Sequence, residues 1–336
     1  MVQCRAFAIG VLLVFACSDV ECAKKAKKQK KQEDEGFDRM QVEMDAASGG
    51  AASAPPPQSP EMAAEEARAV AGLASDIKAA LTDIMAILLH GSGPSQEQAI
   101  EQLINLAAST SEAGAQQARL FRSAVVAGGA LPALIDALSG GPEASSAQKV
   151  YLAATAIHAL SFDDPTTDAD NFHQLEICES GAVPPLVKLL DSEDPRIQGS
   201  ATNALSSLAE NPTCQSMIAA AGAIAPLVSM AQYAPDMLKL GALSALDVLS
   251  VNNPQVRQQM GAEGASEVLS GIASMGSSLL RDEAKGFGER LAAETSKPMS
   301  EQQHIKAARE TRMRYDGVRQ RAFRRMGGWA DDSDSE

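Results

Sequence analysis

The chain has 336 residues, of which 45% are hydrophobic and only 4% aromatic, so its core must be built mainly from Ala, Leu, Ile and Val. That composition suits closely packed helices. The formal net charge of −14 repels polyanions and argues against nucleic acid as the main partner.

The first 22 residues have the three-part pattern of a secretory signal peptide. Arg5 supplies positive charge, an apolar run extends from Ala6 to Cys17, and small residues follow. We therefore expect a signal peptide at 1–22 and a location in the secretory pathway, in the endoplasmic reticulum lumen or outside the cell. Six lysines within 24–31 oppose translocation of that run. If the signal is not used, they resemble a nuclear-localisation patch, and the nucleus or cytoplasm is the alternative.

A change in composition separates this segment from the helical part of the chain. Residues 23–60 pass from basic to acidic and then to a Pro/Ala/Gly-rich stretch without apolar periodicity, which predicts a disordered linker. Residues 61–90 are expected to form an N-terminal capping helix. Its apolar residues recur at steps of three and four, at Val70, Leu73, Ile77, Leu81, Ile84 and Leu88.

A glycine-led motif recurs through the next two hundred residues. It reads Gly-Ala-Val-Pro-Pro-Leu at 181–186 and Gly-Ala-Ile-Ala-Pro-Leu at 222–227, with related copies starting at Gly129 and Gly264. The leading glycines are 52, 41 and 42 residues apart. Glycine permits the sharp turn that ends one helix, and a proline just inside the next helix presets its backbone.

A second motif keeps the same phase. Ala-x-x-Ala-Leu-x-x-Leu occurs at 201–208 and 242–249, with related copies at 153–160 and 284–291. Its alanines suit close helix contacts and its leucines interlock, so each unit exposes an apolar face that only its neighbours can cover. Asn211-Pro212 and Asn253-Pro254 mark the turns that follow.

Together the two motifs resemble those of the armadillo repeat family. The resemblance is best over 177–260 and implies an all-α fold, an armadillo-type right-handed α-solenoid of about four repeats with helical caps. We place the array at 91–294. The resemblance also implies a protein-protein interaction scaffold without catalytic activity, whose partner binds along the groove formed by the third helices.

The groove positions can be assigned from the second motif. Nuclear-import receptors of this family carry a repeated Trp and Asn pair there, four residues apart. The Trp-equivalent positions are Glu101, Thr155, Asn203, Ser244 and Gly286, and the Asn-equivalent positions are Asn105, Ala159, Ser207, Val248 and Arg290. Only Asn105 matches, so we expect the partner to be a folded domain or a helix rather than an extended peptide.

A basic amphipathic helix is predicted at 295–328, followed by an acidic tail at 329–336. The apolar residues of the helix are Ile305, Ala308, Tyr315, Val318 and Ala322, and its basic residues include Arg309, Arg312, Arg314, Arg319, Arg321, Arg324 and Arg325. We expect a capping helix with a solvated basic face, on which the acidic tail can fold back. Binding of RNA or an anionic membrane through this helix is the alternative.

Three smaller features complete the prediction. Cys178 and Cys214, which would remain after signal cleavage, lie in apolar helical surroundings, where unpaired buried thiols are expected, with a disulfide as the alternative in an oxidising compartment. The carboxylate-rich segment Asp163–Asp170 is expected to be a solvated loop. No phosphate-binding loop, nucleophile elbow or paired histidines occur, so we expect no catalytic site, cofactor or metal.

One functional alternative comes from a further resemblance. A short armadillo array behind a signal peptide is similar to the lumenal nucleotide-exchange factors that clasp heat-shock chaperones. This resemblance implies a co-chaperone and a heat-shock chaperone as its partner.

Overall fold

The computed structural model describes residues 72–91, 93–108, 112–139, 146–162, 172–293 and 299–325. The expected signal peptide, the linker, the acidic segment at 163–170 and the acidic tail lie outside these residues. No single described helix is long and apolar enough to span a membrane, and the two helix pairs that reach the length together are bent by 77° and 82°.

The described residues form fifteen α-helices and no strand. In chain order they are α1 (Ser75–His90), α2 (Pro94–Ala107), α3 (Glu112–Ala127), α4 (Leu131–Ser139), α5 (Ala147–Ser161), α6 (Phe172–Glu179), α7 (Val183–Leu189), α8 (Pro195–Leu208), α9 (Pro212–Ala220), α10 (Ile224–Tyr233), α11 (Asp236–Ser250), α12 (Pro254–Ala262), α13 (Ala265–Met275), α14 (Ser278–Ala292) and α15 (Glu301–Arg325).

The helices repeat in groups of three, as the two motifs predict. The units are α3–α5, α6–α8, α9–α11 and α12–α14, and α1 and α2 precede them. The third helices form a continuous row, since α2 packs on α5, α5 on α8, α8 on α11, and α11 on α14. The expected all-α solenoid of about four repeats is therefore confirmed.

The leading glycines adopt the conformation that their motif requires. Gly129, Gly181, Gly222 and Gly264 have φ values of 81°, 89°, 84° and 76°, all in the left-handed region. Each one lies at the turn between the first and second helices of its unit. Because a side chain at positive φ brings Cβ against the backbone, the repeat needs glycine at this position.

A pair of glycine substitutions tests this requirement. Gly222→Ala is expected to lower the free energy of unfolding by about 1–2 kcal/mol, because alanine at positive φ is strained. Gly271→Ala, inside α13, is expected to raise it by about 0.5–1 kcal/mol. A Cβ added at Gly271 meets nothing within 4 Å, so only the helix preference changes. Denaturant titration measures both values, and changes of the same sign in the two variants would refute the argument.

Asparagine side chains cap the helices that begin two of the units. The Oδ1 atom of Asn211 accepts from the backbone N–H groups of Thr213 (2.9 Å) and Cys214 (3.2 Å). Asn253 Oδ1 likewise accepts from Val256 N at 3.2 Å. Each asparagine is followed by a proline in the first turn, where a missing N–H is harmless. The Asn-Pro pairs therefore begin α9 and α12, which confirms the predicted turns.

The core lies between the rows of helices. Ala201, Ala204, Leu205 and Leu208 of α8 are all fully buried, as the second motif predicts for close helix contacts. The apolar stripe of α1 is also buried at Leu81, Ile84 and Leu88, and Leu73, just before the helix, is buried with it. The helix begins at Ser75 because Ala74 has an extended backbone, and residues 61–71 of the expected capping helix lie outside the described part.

The two cysteines form a disulfide, so the expectation of unpaired thiols is wrong. Cys178 on α6 and Cys214 on α9 have their Cα atoms 6.0 Å apart, and both side chains are fully buried. These are the first helices of successive units, and they pack side by side. A separation of 36 residues, close to one repeat, therefore brings the sulfur atoms together.

Candidate partner-binding surface

The C-terminal helix α15 packs across the third-helix row rather than standing free at its end. It contacts α11 most extensively and also touches α8, α9 and α14. Its predicted apolar stripe faces the array, and Ala308, Tyr315, Val318 and Ala322 are buried. The stripe predicted from the sequence is confirmed, and the surface that it covers is the predicted groove.

The first polar anchor of this helix is Glu210, which follows α8 and is fully buried. Its Oε2 accepts from Arg309 Nε at 3.2 Å, and its Oε1 accepts from Arg312 Nε. Gln174 Nε2 lies 3.4 Å from Oε2 and also donates to the Ser161 carbonyl at 3.2 Å. The Arg312 guanidinium, itself 3% exposed, stacks 5.0 Å from the ring centroid of Phe162. The carboxylate is thus fully paired in a buried setting.

The second anchor is Asp247 on α11, with 1% of its surface exposed. Its Oδ2 accepts from Arg314 Nη2 at 2.8 Å and from the Tyr315 hydroxyl at 3.1 Å, while Arg290 Nε donates to Oδ1 at 3.2 Å. Burial, assisted by the nearby Asp247 charge, raises the pKa of Tyr315 well above 10, so the phenol stays protonated and donates. Arg290 stands at the Asn-equivalent position of α14, which places a cation there.

The basic face of α15 divides into arginines that pair with carboxylates of the array and cations that remain exposed, so the face is solvated only in part. Arg312 and Arg309 bind Glu210, and Arg319 Nη1 lies 3.5 Å from Asp316 Oδ1. Among the five arginines of the predicted basic site whose side chains the structure describes, Arg321 and Arg324 are exposed. Arg325 ends the helix, and its side chain is outside the described residues. The carboxylates that pair with these arginines are distant in sequence, so the local charge pattern of the helix does not predict the pairing.

The predicted groove positions divide into an open and a covered part. Glu101 and Asn105 on α2 are exposed, and Thr155 and Asn203 are half-buried. Ala159 is 7% exposed, whereas Ser244 is 1% exposed and Ser207 and Val248 are fully buried. The last three belong to α8 and α11, the helices on which α15 packs. The part of the groove that remains open is therefore its N-terminal part.

His158 on α5 lies close to the arginines of the basic helix. Its Nδ1 is 2.9 Å from the hydroxyl of Ser207. Burial, together with the positive charges of Arg312 and Arg319, lowers the pKa of His158 from 6.5 to about 3. The imidazole therefore remains neutral at neutral pH, as a histidine beside two guanidinium groups must.

This histidine makes the stability of the chain depend on pH. In the unfolded chain the imidazole titrates near 6.5, so protonation below that pH favours unfolding. Its contribution is complete above about pH 6.5 and is lost as the pH falls toward 3. His158→Gln is expected to flatten the fall in unfolding free energy in this window, measured by urea titration at several pH values. The exposed His90→Gln variant is the control, and equal slopes for both variants would contradict the assignment.

Sequence reasoning missed Glu210, Asp247 and Phe162 as parts of this surface. A signal for Asp247 exists, since it interrupts an otherwise apolar third-helix motif, Ala-Leu-Asp-Val-Leu. An ionisable residue at such a position needs a buried partner. Within the described ranges, no three His, Cys, Asp or Glu side chains converge as metal ligands would.

Comparisons with known proteins agree with this architecture. Residues 173–210 match the armadillo/beta-catenin-like repeat model. A search of curated protein sequences found no match to the chain. Among solved structures, a designed armadillo repeat protein in complex with the peptide (KR)4 is 21% identical over 68% of this chain and 91% of its own, with a TM-score of 0.55.

Two further structures have the same fold. A computationally designed armadillo repeat protein for modular peptide recognition is 22% identical, with 68% of this chain and 90% of that chain covered and a TM-score of 0.54. The armadillo repeats only protein of Plasmodium falciparum is 14% identical, with 70% and 99% covered and a TM-score of 0.52. One repeat of this chain thus matches the armadillo family model, and about 70% of the chain has the fold of solved armadillo repeat proteins.

Proposed function

We propose that the chain is a non-catalytic scaffold that binds a partner protein along the groove formed by its third helices. The observation that carries the proposal is that this groove already holds a helix, α15, through an apolar stripe and buried charge pairs. A surface that accommodates a helix suits a partner helix or folded domain better than an extended peptide. The designed relative solved with a (KR)4 peptide supports the use of such an array for protein recognition.

The open part of the groove is the proposed site of first contact. Glu101 and Asn105 project from α2 as exposed side chains, and half-buried Thr155 and Asn203 continue the same row on α5 and α8. Exposed polar residues at the edge of an apolar groove are typical of an interface rim, where they select partners and change association rates.

Capture of partners from the cells that make the protein tests this proposal. Wild-type chain and a Glu101→Arg/Asn105→Arg variant are used as bait, and retained proteins are quantified by mass spectrometry. Ser229→Arg/Glu263→Arg, at exposed positions on α10 and just after α12, adds the same positive charge outside the third-helix row and is the control. We expect one partner to be retained by the wild type and the control and lost by the groove variant. Equal retention by all three baits would refute binding at the groove.

The disulfide favours a second, more specific function in an oxidising compartment. Disulfides persist mainly in secreted and lumenal proteins, in agreement with the apolar N-terminal segment. A lumenal location suits the alternative of a nucleotide-exchange factor for a heat-shock chaperone. Accelerated nucleotide release from a lumenal chaperone would establish this function, and unchanged release from chaperones of that compartment would remove it.

A further inference from the structure

The charge of α15 is opposite to that of the rest of the chain. The helix carries eight Lys and Arg residues and three Asp and Glu residues, whereas the whole chain has a net charge of −14. The groove beneath it presents two buried carboxylates, Glu210 and Asp247, both paired with arginines of this helix. The groove therefore selects a basic helix by charge complementarity.

The contacts also define a sequence spacing. Arg309 and Arg312 reach Glu210, and Arg314 and Tyr315 reach Asp247. Residues three apart on a helix share one face, so Arg309, Arg312 and Tyr315 follow one another along the side of α15 that faces the array. The pattern that fits the two carboxylates is Arg-x-x-Arg-x-Arg-Tyr, a more specific requirement than positive charge alone.

The apolar contribution of α15 to its own binding comes mainly from one large side chain, that of the fully buried Tyr315. The helix contains no leucine, and two of its larger apolar side chains, Met313 and Phe323, are 44% and 50% exposed. The buried stripe contains two alanines, one valine and one tyrosine. Charge-assisted hydrogen bonds therefore carry much of the contact, and a second helix with the same pattern can reproduce them.

We propose that the groove over α8 and α11 is a receptor for a basic amphipathic helix of a partner protein, and that α15 occupies this receptor until the partner displaces it. The inference rests on the function proposed above and specifies the chemistry of the partner. Because α15 is attached to the array, it competes at a high local concentration. The partner's apparent affinity is its intrinsic affinity multiplied by the fraction of molecules in which α15 is released.

Peptide binding to the full chain provides the test. The probe is a fluorescent peptide of residues 301–325, and a scrambled peptide of identical composition is the control for attraction to a chain of net charge −14. The proteins are the wild type and an Arg309→Gln/Arg314→Gln variant. In this variant Glu210 keeps Arg312, and Asp247 keeps Arg290 and Tyr315, so the fold is retained. A milder variant, Tyr315→Phe, removes a single hydroxyl.

The double variant is expected to bind the peptide roughly tenfold more tightly than the wild type, since its own helix is released more often. Tyr315→Phe should give a smaller gain in the same direction. In the double variant, bound peptide should increase hydrogen exchange in the endogenous α15, which shows displacement. Equal affinity for both proteins, equal binding of the scrambled peptide, or unchanged exchange in α15 would each overturn the proposal. If the peptide does not bind while the Glu101→Arg/Asn105→Arg variant still loses the captured partner, the scaffold function is retained and only the proposal of a helix receptor is refuted.

Discussion

Glu210→Ala is expected to lower the free energy of unfolding by about 3 kcal/mol, the lower end of the cost of removing one partner of a buried ion pair, because Asp316 still pairs with Arg312. Arg312 is 3% exposed, and its Nε donates to Glu210, so the substitution leaves this Nε without an acceptor in a site that water barely reaches, while Nη1 keeps Asp316 Oδ2 at 2.7 Å. Arg309 and Gln174 lose the same acceptor. Chemical denaturation followed by circular dichroism measures the change.

Two further substitutions show whether the lost charge is responsible. Glu210→Gln keeps an acceptor oxygen without the charge and should give an intermediate loss. Glu193→Ala removes an exposed carboxylate and is expected to change stability by no more than about 0.5 kcal/mol. If Glu210→Ala were as mild as Glu193→Ala, the buried pair would not stabilise the packed helix.

Removal of the disulfide is the second large effect expected. Cys178→Ala/Cys214→Ala should lower the free energy of unfolding by about 3–4 kcal/mol, because the bond closes a loop of 36 residues and restricts the unfolded chain. Dithiothreitol should destabilise the wild type by a similar amount, measured by the midpoint of denaturant unfolding.

The same reductant distinguishes the effect of losing the disulfide from the effect of replacing the two cysteine side chains. It should leave the double alanine variant unchanged, since that variant has no bond between α6 and α9 to break. A wild type that is insensitive to the reductant, or that shows both thiols free when titrated in denaturant, would contradict the pairing of Cys178 with Cys214.

The fold was predictable because its determinants are local. Gly181 and Gly222 are required by a turn at positive φ, and the alanines and leucines of α8 are required by contacts with helices one repeat away. Because each unit has the same requirements, they appear in the sequence as two motifs that recur with the same spacing. The disulfide was only the alternative prediction, because its cysteines are 36 residues apart in the chain and become neighbours only when successive units stack.

The site was less predictable because its contacts are long-range. Arg309 and Arg312 find Glu210 at separations of 99 and 102 residues, and Arg314 finds Asp247 at 67. The amphipathic pattern of α15 indicated a helix and an apolar face, but it does not indicate which surface the face covers. Ser207, Ser244 and Val248 lie on third helices as the motif predicts, and all three are buried in helices on which α15 packs.

The placement of α15 also changes how the array should come apart. Units of a repeat protein normally contact only their immediate neighbours, so they can open one at a time from either end. Because α15 touches α8, α9, α11 and α14, it ties three successive units to one element. Those units should open together as one cooperative block, whereas α1 to α5 can fray separately. A protease would accordingly cut first at the N-terminal end of the array, and the C-terminal units would resist cleavage until α15 is released.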